Sequence, residues 1–240
     1  ARPGGARPHP ARRRRGERSP TLRCPEPAVH PQLRHRRARS AAAYRHLGRT
    51  ERRVAQQRLM RSVCVFCASS ARIDDRYLRL AAEIGQGVAT AGYQLITGGG
   101  SVSMMGAVAR AARAAGGHTV GVIPQALIDM EVADHDADEL VVTPDMRTRK
   151  AEMDRRSDVF VALPGGIGTL EELTEVWTAF TLGMHAKPVI VVDPWGDYAG
   201  LREQIAHLVR TGFMRQSAAD AIHWADSVEG ALRIIDAHAK

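Results

Sequence analysis

Cysteine is scarce: only Cys24, Cys64 and Cys67 occur in 240 residues. Three thiols at such uneven spacing exclude a disulfide framework and point to a reducing, cytoplasmic setting. Aromatic residues make up 5% of the chain, which argues against a surface built to stack successive bases. No apolar run reaches the length of a membrane span, and no apolar signal-peptide core stands near the start. The ten histidines show no ligand spacing of the H-E-x-x-H kind, so no metal site is expected.

Lysine is absent from residues 1–59, which hold 17 Arg and 3 acidic residues, a net of +14. Residues 60–240 hold 17 basic and 23 acidic residues, a net of −6. The overall +8 therefore describes the N-terminal segment and not the body, and no nucleic-acid partner is expected for the body on charge grounds. Residues 1–39 are rich in Arg, Pro, Ala and His without apolar periodicity, so they cannot bury enough surface to offset the entropy of ordering them. Residues 40–60 are helix-compatible but strongly basic. Three readings compete for this disordered basic extension: a tail for nucleic acid or an acidic partner, an organelle-targeting peptide, or upstream sequence that is not part of the natural protein. Its prolines spoil the amphipathic helix of a transit peptide. Met60 stands directly before the first strand, and the upstream reading is preferred. A domain boundary is thus expected after residue 59.

From Ser62 onward, short apolar β-branched runs alternate with helical patterns. Strands are expected at residues 63–67, 93–97, 118–123, 140–142, 159–163, 189–192 and 222–225. Helices are expected from Asp74 or Asp75 to about Ala91, over 103–115, from Asp145, from Thr169 to Leu182, over 198–210, and from Ser227. Such alternation predicts a doubly wound, Rossmann-like α/β fold, a mostly parallel sheet with helices on both faces. Ligands of such sheets sit beyond the carboxyl ends of the strands.

Two glycine loops fall at that edge. Gly98-Gly99-Gly100 fails as a dinucleotide fingerprint, since Ser103 stands where a third glycine belongs and no acidic residue ends the second strand. It reads either as a tight turn or as half of a shared anion site. The other loop, Pro164-Gly165-Gly166-Ile167-Gly168-Thr169, passes from a strand into a helix. Helix N-termini present unbonded N–H groups and a positive dipole end, and glycine lets the backbone approach an anion closely. Thr169-Leu170-Glu171-Glu172 carries two readings side by side. It is a capping box, with Thr169 as N-cap and Glu172 reaching back, or Glu172 is a catalytic carboxylate behind a phosphate cradle. Arg149 and Lys150 are either compensating charges or a solvated helix face. Cys64-Val65-Phe66-Cys67 has C-x-x-C spacing, but residues three apart in a strand face opposite sides, so the thiols are read as buried and structural.

The stretch Pro164 to Glu172 resembles the P-G-G-x-G-T-x-x-E signature of the LONELY GUY family. The resemblance runs from about Arg61 to the C-terminus and includes Cys67-Ala68-Ser69-Ser70, Gly98-Gly99-Gly100-Ser101 and the stretch Met146 to Met153. Members are cytokinin riboside 5′-monophosphate phosphoribohydrolases, related to proteins that bear a lysine decarboxylase label without that activity. Arg147 departs from the His that many members carry, and Ser103 from a Gly. The resemblance implies Arg149 and Glu172 as the catalytic pair. It implies Glu131, Arg149, Lys150, Gly165, Gly166, Ile167, Gly168, Thr169, Leu170, Glu171, Glu172 and Thr178 as the nucleotide site. It further implies a nucleoside 5′-monophosphate substrate, no cofactor, and a homodimer. The alternatives are a general AMP nucleosidase or a non-enzymatic carrier holding a phosphorylated cofactor of the molybdopterin type, because related folds use such a loop for binding alone.

Overall fold

Unbroken apolar runs suit strands covered on both faces, and the computed structural model, which describes residues 61–128 and 133–238, places them so. The strands are β1 Ser62–Phe66, β2 Gln94–Thr97, β3 Thr119–Pro124, β4 Glu139–Thr143, β5 Val159–Ala162, β6 Val189–Val192 and β7 Ile222–Ala225. Between them run α1 Asp75–Thr90, α2 Ser103–Ala114, α3 Gln125–Ile128, α4 Met146–Arg156, α5 Ile167–Thr181, α6 Ala199–Arg210, α7 Gln216–Ala219 and α8 Val228–His238. The basic segment 1–59, its expected disorder and helix, the boundary after it, Met60 and Glu131 lie outside the described residues.

The seven strands form one sheet in the order β4-β3-β2-β1-β5-β6-β7, and all six pairings are parallel. The chain winds outward from β1 to β4, crosses back to β5, and winds outward again to β7. The order therefore reverses between β1 and β5, and the crevice for a ligand opens beyond their carboxyl ends. Leu163 N–H donates to Phe66 O at 2.9 Å and zips the two strands to that edge.

Alternate residues of β1 feed two cores. Val63, Val65 and Cys67 pack with Ile84, Val108 and Ile235 from α1, α2 and α8, while Cys64 and Phe66 pack with Met153, Leu173 and Ile205 from α4, α5 and α6. The two thiols thus point to opposite faces, both free and buried. Burial pushes both well above the ordinary thiol range, which keeps them protonated and unreactive.

The caps follow the side-chain chemistry. Asp74 caps α1 by accepting from Arg76 N–H at 2.8 Å, and Asp145 caps α4 by accepting from Thr148 N–H at 2.8 Å. Helix α5 departs from expectation. It starts at Ile167, with Gly166 as its N-cap and no side-chain cap bond. Thr169 is the third helical residue and turns inward, 3% exposed. Thr169 cannot be the N-cap, so the capping-box reading is withdrawn. Among the described residues no helix is long and apolar enough to cross a membrane.

Leu173 is fully buried and anchors α5 to the sheet. Leu173→Ala should lower the unfolding free energy by about 3 kcal/mol, read from urea denaturation. A loss below about 1 kcal/mol would show that α5 is held by other contacts.

Candidate active site

Helix α4 is the most polar of the long helices, yet its buried residues are Arg149 and Met153. Met153 joins the core, and Arg149 runs under the carboxyl ends of β2 and β3. Its Nε donates to Val122 O at 3.0 Å, Nη2 to Gly98 O at 3.3 Å, and Nη1 to Glu172 Oε1 at 3.1 Å. The solvated-face reading fails for Arg149, whose side chain is 9% exposed, against 12% for Glu172. A guanidinium is costly to bury unless its donors find partners, and here two carbonyls and a carboxylate meet three of the five.

Glu172 lies on the first turns of α5, directly after the glycine loop. Desolvation drives its carboxyl above the ordinary value, opposed chiefly by the Arg149 charge. Lys150 lies beside the pair and donates to Glu171, and to Glu175 at 2.8 Å. Those hydrogen bonds, Glu171 first, raise its pKa. Its charge is therefore matched within the site, with Glu175 as a partner that sequence reading missed. The signal was present: Glu175 stands four residues after Glu171, on the same helix face.

The glycine loop closes around Thr169. A Cβ on Gly165 would stand 2.1 Å from Thr169 Oγ1, so only glycine admits the threonine beneath the loop. Gly166, Ile167 and Gly168 are exposed. The N–H groups of Ile167, Gly168 and Thr169 precede the first intrahelical bond of α5, from Leu170 N–H to Gly166 O at 3.1 Å. With no acidic residue in that first turn, the helix end keeps its positive character. Leu170 packs against the core, so its side chain does not belong to the ligand side. Tyr198 buttresses the loop from behind, its hydroxyl donating to Leu163 O at 2.7 Å.

A groove of about 790 Å³ runs between α4 and α5. Arg147, Lys150, Glu171, Glu172 and Thr178 line it, and Phe66 and Phe160 lie at its base. The structure thus brings Arg149, Lys150, Glu171, Glu172 and Thr178 together, with the Gly165–Thr169 loop leading into the same helix. Ser103, the position where a glycine is common, has φ of 51°, a conformation a glycine takes without strain. Its hydroxyl donates to Ser70 O at 2.6 Å and ties the β2–α2 loop to the β1–α1 loop. Gly98, Gly99 and Gly100 are all buried, so that loop is packed, and the reading of it as half of an open anion site is not carried forward. Among the described residues no group of three or more His, Cys, Asp or Glu is placed to hold a metal.

Comparison with known proteins converges on this region. A family model described as "Possible lysine decarboxylase" matches residues 105–235. A Mycobacterium tuberculosis protein named cytokinin riboside 5′-monophosphate phosphoribohydrolase is 52% identical over 172 residues, 72% of this chain and 91% of that protein. An Arabidopsis thaliana protein of the same name is 44% identical over 155 residues, 65% of this chain and 68% of that protein. Among solved structures, the molybdenum cofactor carrier protein of Chlamydomonas reinhardtii aligns with a TM-score of 0.56 at 26% identity, over 75% of this chain and 99% of that one. With the P-G-G-x-G-T-x-x-E loop at the switch point of a parallel sheet and relatives of this closeness, the chain belongs to the LONELY GUY family.

Proposed function

We propose that this protein is a phosphoribohydrolase, which cleaves the N-glycosidic bond of a cytokinin riboside or adenosine 5′-monophosphate to give the free base and ribose 5-phosphate. The observation that carries the reading is the buried Arg149–Glu172 pair at 3.1 Å, set at the entrance to α5. The relatives' names add the substrate class.

In this reading Gly165, Gly166, Ile167, Gly168 and Thr169 receive the 5′-phosphate on the N-terminus of α5. That remote contact fixes the sugar against Glu172. Breaking the glycosidic bond sends its electron pair to the base and leaves an oxocarbenium-like ribose. The Glu172 carboxylate stabilises that positive charge and takes a proton from the water that attacks C1′, and that proton passes on to the departing base, which is released neutral. Arg149 spends three of its five N–H donors on Val122, Gly98 and Glu172. The other two are available to the substrate. Lys150 offsets Glu171 and Glu175, and the groove bearing Thr178 and Arg147 takes the base. Arg147, in place of the commoner His, sits where it can bias base preference.

A carrier reading draws on the likeness to the molybdenum cofactor carrier. Binding alone needs the loop, but it gives no use to a carboxylate held against desolvation beside a buried arginine. We further propose a homodimer. Leu182, Met184 and Phe213 are 66%, 75% and 84% exposed and border the groove or the neighbouring cleft between α5 and the α6–α7 connection. The net acidic body argues against a nucleic acid as partner.

Glu172→Gln should lower kcat by about 10³-fold while nucleotide binding by calorimetry persists. Full activity in that variant would remove Glu172 from the chemistry. Because Glu172 acts ionised and burial raises its pKa, kcat should fall on the acid side with an inflection above the ordinary 4.5 of glutamate. A profile flat down to that value would contradict the assignment. Gly165→Ala displaces Thr169 and should raise the nucleotide KM by about tenfold or more with a smaller change in kcat. An unchanged KM would place the phosphate elsewhere.

A further inference from the structure

The Gly98-Gly99-Gly100 run is unexplained by the phosphate cradle, which lies on another loop. Backbone conformation accounts for one of the three. Gly99 has φ of +78°, whereas Gly98 is absent from the positive-φ residues and needs no glycine for its own dihedral angles. What Gly98 lacks is space. A Cβ there would lie 2.0 Å from Nη2 of Arg149 and 3.2 Å from its Cζ and from Met105 Sδ. The polar side is in contact as well, where the Gly98 carbonyl accepts from the same Nη2 at 3.3 Å.

Arg149 is held at its other two contacts. Its Nε is tied to Val122 O at 3.0 Å on β3, and the guanidinium plane then carries Nη2 over Gly98 and Nη1 to Glu172. The guanidinium is a rigid fork, so pushing Nη2 off Gly98 rotates or withdraws Nη1 as well. Gly121 extends the same clearance: a Cβ on it would meet the Cα of Gly99 at 2.9 Å, which keeps β3 and the Gly98–Gly99 turn in contact.

We infer that Gly98 is a positioning residue for the phosphoribohydrolase reaction, its missing side chain and its carbonyl together seating the Arg149 guanidinium against Glu172. The inference rests on the function proposed above. It assigns Gly98 to the reacting centre and not to phosphate binding, the opposite of what a glycine loop at a sheet edge suggests from sequence. The groups coupled to Glu172 are Arg149 and Lys150 from α4, Glu171 on its own helix, Cys64 from β1, and Cys67 just past the end of β1. Of these, Arg149 is the one that Gly98 touches.

The test uses the full chain with AMP and isopentenyladenosine 5′-monophosphate. Wild-type protein that releases no base from either would fail the proposed function and leave Gly98 without a reaction to serve. With wild type active, Gly98→Ala should lower kcat by about 10²-fold, keep the nucleotide KM within about threefold, and move the acid limb of the kcat profile to higher pH. That shift follows because Glu172 loses the opposing charge of Arg149. The second variant is Arg149→Lys, which lacks the Nη2 that meets the new Cβ. In that background Gly98→Ala should cost less than threefold further, on the non-additivity expected of groups acting through one contact. A folded Gly98→Ala protein with unchanged kcat and pH profile overturns the inference. So does an equal loss in both backgrounds. If Gly98→Ala alone fails to fold, recovery of the thermal transition in the Arg149→Lys background supports the inference, and failure to fold in both overturns it.

Discussion

An arginine buried to 7% exposure is the constraint on which the rest of the site depends. Desolvating a guanidinium and a carboxylate costs several kcal/mol per ion, and removing one partner of such a pair typically costs about 3–5 kcal/mol. A pair of this kind persists where further acceptors meet the arginine's donors. Arg149 finds Val122 O and Gly98 O, two carbonyls at the ends of neighbouring strands that no longer pair with each other. The parallel sheet therefore does more than support the loops above it. Its fraying carboxyl edge supplies the acceptors that let a charge into the interior.

The same edge explains why the proposed phosphate cradle and the proposed reacting pair are adjacent. Reversal of strand order between β1 and β5 opens a crevice there, and α5 rises from it with an uncapped N-terminus. The loop Gly165–Thr169 and the residue Glu172 are a turn apart on one rigid helix, so an anion held at the helix end has a fixed offset from the carboxylate. Helix α4 delivers Arg149 from the other side and Lys150 one residue later. Two helices on one face of the sheet thus carry every described side chain given a part in the proposed reaction, and the groove between them is the space that proposal leaves for the base.

Much of this was legible in the sequence, for physical reasons that differ by element. Strand β6 at Val189–Val192 was read to the residue, because Pro188 and Asp193 bound an unbroken apolar run. The opposite orientation of Cys64 and Cys67 followed from the two-residue period of a strand. The start of α5 was misplaced because Thr169-x-x-Glu172 has the pattern of a capping box, and local pattern cannot tell a cap from a catalytic carboxylate. The cap is ruled out by the start of the helix, with Gly166 as N-cap and Thr169 in its first turn. The place of Arg149 rests on contacts to Val122 and Gly98 that span 27 and 51 positions and leave no local trace. The same long-range contacts turned Arg149 from a surface charge into a core residue. They also changed the meaning of Gly98 from an anion loop to a clearance.

The most direct measurement of the central claim is product analysis with paired substrates. Purified protein is incubated with AMP and isopentenyladenosine 5′-monophosphate, and separately with the corresponding nucleosides that lack the phosphate. A site in which the Gly165–Thr169 cradle positions the sugar against Glu172 and Arg149 releases base and ribose 5-phosphate in equal amounts from a monophosphate and no base from the nucleosides. Tight nucleotide binding without release of base from either monophosphate would contradict the account and leave the cradle a binding site alone.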